Sequence, residues 1–347
     1  MNSTADKPSG APGRSATSRP SPGKGAVGSW IRTLLRSSPL LDSAFARLTY
    51  LSAAVRPSPV PLHREEGLRP LFIIGAGRSG NTLLRRILVA GGEIHIPPET
   101  YVLGTAISLF RRSQHLGWPQ QVNLMLAQFE YHPNFDTFGI GLRQLALTSA
   151  DIKADRRSLA ILIDGFYRLH GQSVGSTAAR WGDKTPLNVY SLERILSVFP
   201  DAAFVHMVRD GVDVAASYLR TGLIGGLDDA GLRWRTSVEA VEQFAERHPG
   251  RCLEVRYERL VIDPSTETRR VTDFAGLSFA PTMVDTLSHV DQLGDVMAQS
   301  HHSEVRRPVH SNAVGAGRRN LSETERQHLQ RLIGPTLTRW SYPPASS

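Results

Sequence analysis

From Pro70 onward the chain alternates between short unbroken apolar runs and longer stretches in which apolar residues recur every three or four positions. P-L-F-I-I-G (70–75) is an apolar run closed by glycine, the pattern of a strand buried on both faces. N-T-L-L-R-R-I-L-V-A (81–90) has helical spacing and is stopped by Gly91-Gly92. Residues 102–150 read as mostly helical, and 156–170, 188–199, 210–219, 227–247 and 322–334 as helices. A-A-F-V-H-M-V-R (202–209) and C-L-E-V-R-Y (252–257) are two further strands, and Ser265–Ala275 a helix with Gly276 as its C-cap. Residues 294–320 are polar and aperiodic. Strand-helix alternation of this kind predicts an α/β fold, a single domain over 69–342 with a central parallel sheet flanked by helices.

The beginning of the chain has a different character. Residues 1–28 hold five Ser, four Pro and five Gly, half of that stretch, and are expected to be a disordered tail. Ser29 to Arg56 has amphipathic helix character, with Ile31, Leu34, Leu35, Leu41, Phe45 and Leu48, and 57–68 reads as a linker. Arg32, Arg36, Asp42 and Arg47 break the best apolar stretch, so no transmembrane span is expected. No apolar signal segment opens the chain, and a cytoplasmic location is expected.

The 347 residues carry a net charge of +8, and only four of the 40 basic residues are lysines. Arginine suits phosphate and sulfate oxygens, yet no zinc-finger, RRM or basic-helix pattern accompanies it, so nucleic acid is not an expected partner. The single cysteine, Cys252, excludes an internal disulfide framework. His301-His302 lack a partner pair at helical spacing, so no metal site is expected. L-A-I-L-I-D (159–164) imitates a magnesium-binding strand. Its surroundings are helical, and Asp164 reads as a surface residue.

The chemistry concentrates in I-I-G-A-G-R-S-G-N-T-L-L (73–84). A strand, a glycine loop and a helix N-terminus together make a phosphate cradle. Gly75, Gly80 and Thr82 occupy phosphate-loop positions, but Asn81 stands where a nucleotide kinase needs its lysine, and Arg78 puts a cation inside the loop. Arg209 closes the second strand, where ligands bind in such sheets. Ser217 lies eight residues on, about two helical turns, and so on the same side. The blander reading pairs Arg209 with Asp210 or Asp213 as surface charge.

These two motifs resemble those of the sulfotransferases that use 3′-phosphoadenosine 5′-phosphosulfate (PAPS), with a layout similar to the tyrosylprotein branch. Arg78-Ser79-Gly80-Asn81-Thr82-Leu83 resembles that family's 5′-phosphosulfate loop, and F-V-H-M-V-R-D-G-V-D-V-A-A-S-Y (204–218) its 3′-phosphate motif, with Arg209 and Ser217 in the binding positions. The resemblance implies a P-loop-like fold, PAPS as co-substrate and a hydroxyl or phenol acceptor on a peptide tyrosine, carbohydrate, lipid or secondary metabolite. It implies Glu99 as the base, with His95 as the local rival, and Arg78 and Lys184 as stabilisers of the transferring group. Tyr257 and Arg318 are implied nucleotide contacts, and Ser300 a late catalytic position. Segments 100–150 and 220–235 are expected to line the acceptor pocket. A nucleotide-dependent kinase and a catalytically inactive nucleotide-binding module are the competing functions.

Deleting residues 1–28 should leave folding and turnover unchanged, because a segment this poor in apolar residues contributes no core. Thermal unfolding and steady-state turnover of the truncated chain check this. Loss of either would give the segment a structural role.

Overall fold

A computed structural model of the chain describes residues 59–64, 67–285 and 309–346. The expected tail 1–28, the expected helix 29–56, His301-His302 and Ser300 lie outside the described residues.

Five strands form one parallel sheet in the order β2-β3-β1-β4-β5: β1 Leu71–Ile74, β2 Ile94–His95, β3 Arg180–Lys184, β4 Ala203–Val208 and β5 Cys252–Arg256. Three of these follow from apolar runs in the sequence. Alternation along β1 sends its side chains to opposite faces. Leu71 and Ile73 pack with Leu84, Ile87 and Leu88 of the helix Asn81–Ala90, whereas Phe72 and Ile74 join the core under the helices Leu103–Arg112 and Leu159–Ser173. A third cluster, around Trp234, Val212 and Ile333, ties the helices Gly211–Thr221, Leu227–Arg247 and Glu323–Arg339 together. Gly276 takes a left-handed conformation as the C-cap of Pro264–Ala275.

Several expectations change. β3 lies in W-G-D-K-T-P, where no apolar run announces a strand, and Trp181 to Lys184 are all buried. Residues 188–199 split into a short 3₁₀ turn, Pro186–Tyr190, and the helix Leu192–Val198. The aperiodic 294–320 stretch contains a short helix, Ala316–Asn320. Asp164 is not a surface residue. It is buried, and it accepts hydrogen bonds from the Trp181 indole (2.9 Å) and from Arg168 Nε (2.7 Å). The indole, itself in the core, needs an acceptor, and Asp164 supplies it. The stretch read as a linker runs along the domain from Pro59 to Arg64. The amides of Leu159 and Ala160 donate to the carbonyls of Pro61 and Leu62, and Leu62 packs on the core.

Three histidines, His95, His170 and His206, are buried in this core. His95 Nε2 shares a hydrogen bond with His170 Nδ1 at 2.8 Å, and burial pushes His95 down to about 4 from 6.5. His206 on β4 is pushed down to about 3 by burial alone. Cys252 at the start of β5 is half-buried, and burial raises its thiol to about 12.

A histidine held neutral in the folded state binds its proton only on unfolding. Stability is therefore greatest above pH ~6.5, and it falls as pH drops from there towards 4 and 3, by up to about 1.4 kcal/mol per pH unit for each group. Urea unfolding at pH 7.5 and pH 5 should reveal this loss, and His206→Leu should flatten the slope. An unchanged slope in that variant would assign the acid sensitivity to other groups.

Candidate functional site

The carboxyl ends of the strands converge on one cavity of about 420 Å³. Gly75–Gly80 follows β1, Glu99 follows β2, Arg209 follows β4, and Tyr257 follows β5. β3 and β4 flank β1 on opposite sides, so the crevice opens where the chain's connections diverge, the ordinary ligand position of an open parallel sheet.

The loop after β1 is shaped by close backbone approach. A Cβ at Gly75 (φ 138) would stand 2.2 Å from the Met207 carbonyl oxygen of β4. At Gly80 (φ 94) it would stand 2.5 Å from the Tyr257 ring. Gly80 is the N-cap of the helix Asn81–Ala90, whose first amides have no intrahelical partner. Asn81 Nδ2 donates to the Ala76 carbonyl at 2.9 Å, bracing the loop where a kinase would present a cation. Ser79 is fully buried, and its Oγ has no hydrogen-bond partner among the described residues. Gly80, Asn81 and Thr82 line the cavity.

Arg78 has φ 69, a left-handed conformation unusual for a residue with a side chain. Its Nε donates to Ser217 Oγ at 3.1 Å. Arg209 Nη1 donates to the Arg78 carbonyl at 3.2 Å. The two motifs, distant in sequence, are thus tied directly together. Burial lowers the pKa of Arg78, and the nearby cations Arg209 and Arg220 lower it further.

Arg209 is buried rather than a surface charge. Asp213 does lie 3.4 Å from its Nη2, but the guanidinium also packs 4.6 Å from the Tyr257 ring centroid and donates to the Ala313 carbonyl. Its Nε has no partner among the described residues. Asp213 Oδ2 and Oδ1 accept from the amides of Gly315 (2.8 Å) and Gly317 (2.7 Å), which holds the segment with Val309, His310 and Ala313 over the cavity.

Glu99 lines the cavity, and Lys184 Nζ donates to its Oε1 in an ion pair. The Lys184 side chain is wholly buried at the end of β3 and is not among the residues lining the cavity, because its ammonium is turned onto Glu99. Behind the pair sits Asp183, fully buried and accepting from Tyr167 Oη (2.8 Å), Asn188 Nδ2 (2.7 Å) and Thr100 Oγ1 (3.0 Å). Burial raises the pKa of Asp183. The Thr100 amide donates to Thr185 Oγ1 at 3.0 Å, so the residue after Glu99 is fixed twice.

Two expectations are corrected here. His95 is in the core against His170 and does not line the cavity. Arg318 does not line it either. Its Nη2 bonds Asp210 Oδ2 (2.9 Å) and the Pro343 carbonyl (2.8 Å), so the guanidinium braces the cap of the helix Gly211–Thr221. Segments 100–150 and 220–235 do contribute to the wall, through Tyr101 and Asn134 and through Arg220, Leu223 and Arg233. Sequence reasoning did not single out Tyr101, Arg220, Arg233 or Asp183. Only Asp183 had a signal, an acid beside the one lysine already noticed in W-G-D-K-T-P.

The chain is similar to protein-tyrosine sulfotransferase 1 of Danio rerio, 24% identical over 320 residues, covering 89% of this chain and 81% of that protein. It is 25% identical to protein-tyrosine sulfotransferase 2 of Gallus gallus over 284 residues, covering 79% and 69%. Among solved structures, the sulfotransferase domain from the curacin biosynthetic pathway shares the fold, with a TM-score of 0.51 at 19% identity over 82% of this chain and 99% of that one. The expected cytoplasmic location is overturned by the same relatives, since protein-tyrosine sulfotransferases are Golgi membrane enzymes. Among the described residues no helix is long and apolar enough to cross a membrane, and this does not restore the expectation. The kinase and inactive-module alternatives give way to sulfuryl transfer. A model of the sulfotransferase family matches residues 70–281, more than half of the chain, and the chain belongs to that family.

Proposed function

We propose that this sulfotransferase moves the sulfuryl group of PAPS to the phenolic oxygen of a peptide tyrosine. The observation that carries the reading is the convergence of Arg78, Ser217 and Arg209 on one cavity in which Glu99 is the only carboxylate among the described lining residues. The names of the relatives favour a tyrosine acceptor over other hydroxyls.

The residues present fit the nucleotide. Arg209 lines the cavity and its Nε has no partner among the described residues, and the glycine loop is pressed so close to Met207 and Tyr257 that side chains would fill it. PAPS, when bound, supplies an activated sulfuryl group whose bond to the acceptor oxygen forms as its bond to the bridging phosphate oxygen breaks. The loop amides, the helix N-terminus at Asn81 and Thr82, and Arg78 would hold the 5′ end. Arg209 and Ser217 would hold the 3′-phosphate, and Tyr257 would pack beside it. Glu99 takes the proton of the acceptor hydroxyl. Lys184 holds the Glu99 carboxylate in place from the sheet side, a role distinct from stabilising the leaving oxygen. That task falls to Arg78, which lines the cavity, because a fixed cation beside the leaving oxygen stabilises the charge developing on it. Ser300, outside the described residues, has no part in this reading.

Arg209→Ala should weaken binding of 3′-phosphoadenosine 5′-phosphate by about 1.5–3 kcal/mol, the usual worth of a charged hydrogen bond, and should leave AMP binding nearly unchanged. Calorimetry with both nucleotides tests this. Equal losses for the two would move the 3′-phosphate elsewhere. Glu99→Gln should lower kcat by roughly 10²–10⁴ with nucleotide affinity intact, measured as turnover of a tyrosine peptide against the same peptide carrying serine. Retained turnover in Glu99→Gln would remove Glu99 as the base, and turnover of the serine peptide alone would remove the phenol.

A further inference from the structure

Glu99, Thr100 and Tyr101 alternate in direction. Glu99 and Tyr101 both line the cavity, whereas Thr100 is buried and bonded through its amide to Thr185 and through its hydroxyl to Asp183. Two hydrogen bonds of 3.0 Å therefore pin the peptide between the carboxylate and the ring. Tyr101 itself has φ 59. A left-handed conformation is a genuine outlier for a bulky residue, and such strain persists only where the surroundings enforce it.

The ring of this residue is backed by a second one. The Tyr101 ring stacks on His132, with centroids 5.3 Å apart and planes 15° from parallel. His132 sits in a turn fixed on both sides, its amide donating to the Phe129 carbonyl and its carbonyl accepting from the Phe135 amide. The Asn134 amide donates to His132 Nδ1 at 3.2 Å, which makes Nδ1 an acceptor and leaves the proton of the neutral ring on Nε2. Burial lowers the pKa of His132, which favours the neutral ring. A hydrogen-bonded ring stacked behind a strained tyrosine is a prepared aromatic surface, and it stands two residues from the proposed base.

We infer that Tyr101, backed by His132, is the residue that selects an aromatic acceptor: the acceptor's phenol ring packs against Tyr101 while its hydroxyl reaches Glu99. Stacked and edge-to-face aromatic pairs add affinity beyond the area they bury, so the platform distinguishes a phenol from an aliphatic alcohol of similar size. This inference rests on the phenol acceptor proposed above. It adds a specificity-determining residue that takes no part in the proton transfer and touches neither end of the nucleotide.

The test measures binding of 4-nitrophenol and of cyclohexanol to the full chain saturated with 3′-phosphoadenosine 5′-phosphate. Wild type should prefer the phenol. Tyr101→Leu should lose about tenfold in phenol affinity, as expected for one aromatic pair, with cyclohexanol and nucleotide affinities within about twofold of wild type. Tyr101→Phe should behave as wild type. Tyr101→Gly controls for misfolding. Glycine adopts φ 59 without strain, so this variant should unfold no earlier than Tyr101→Leu while losing the phenol preference in the same way. Undiminished phenol affinity in Tyr101→Leu, or a parallel loss for both alcohols, overturns the platform while leaving the phenol acceptor standing. Absence of phenol binding in wild type overturns the acceptor reading and the platform with it.

Discussion

Four arginines and one glutamate line a single cavity, and the cost of holding those like charges together shapes much of what surrounds them. Burial works against the charge on Arg78, and Arg209 and Arg220 add to the repulsion. In a partly dry cavity such repulsion is far stronger than in water. The fold meets it with hydrogen-bond acceptors set around the guanidinium groups. Asp213 stands beside Arg209, and the Arg78 and Ala313 carbonyls receive its N–H groups. Ser217 Oγ accepts a hydrogen bond from Arg78 Nε. What remains is a surplus of positive charge facing inward, and a multiply charged anion placed there gains from every guanidinium at once.

On the other side of β1 the charge is handled differently. Lys184 and Asp183 are neighbours on β3, both fully buried, and each is committed to a different partner. Burying charged groups singly costs several kcal/mol, so each must be paired or hydrogen-bonded. Lys184 is spent on Glu99. Asp183 gathers Tyr167, Asn188 and Thr100. Together they clamp the stretch after β2 to the end of β3. The position of the Glu99 carboxylate thus depends on polar groups in the sheet interior.

This division explains what could be read from the sequence. β1, its glycine loop and the Arg209 strand were legible, because an apolar run ending in glycine or arginine is a local pattern with a local cause. β2 and β3 were not. R-W-G-D-K places a glycine, an acid and a lysine in buried positions, and those residues form a strand only because Thr100, Tyr167, Asn188 and Glu99 arrive from elsewhere to satisfy them. The same holds for Asp164, whose burial follows from the Trp181 indole, a partner 17 positions away. Arg318 matched the family's pattern in sequence, yet the structure turns it towards Asp210 and the Pro343 and Pro344 carbonyls, contacts that no linear pattern encodes. Tyr101 had no signal at all, since its left-handed backbone and its stack on His132, 31 positions away, are not written in any local pattern.

Cys252 bears on a different question. It is the chain's only cysteine, it lies on β5 beside the core, and burial holds its thiol protonated at any physiological pH. A protonated, half-buried thiol is a poor nucleophile and a poor target for oxidants. The fold consequently has nothing to gain from an oxidising lumen and nothing to lose in a reducing one. Cysteine usage, often the first clue to where a protein works, is silent here, and the same domain could pass between compartments of opposite redox poise without a change to its interior.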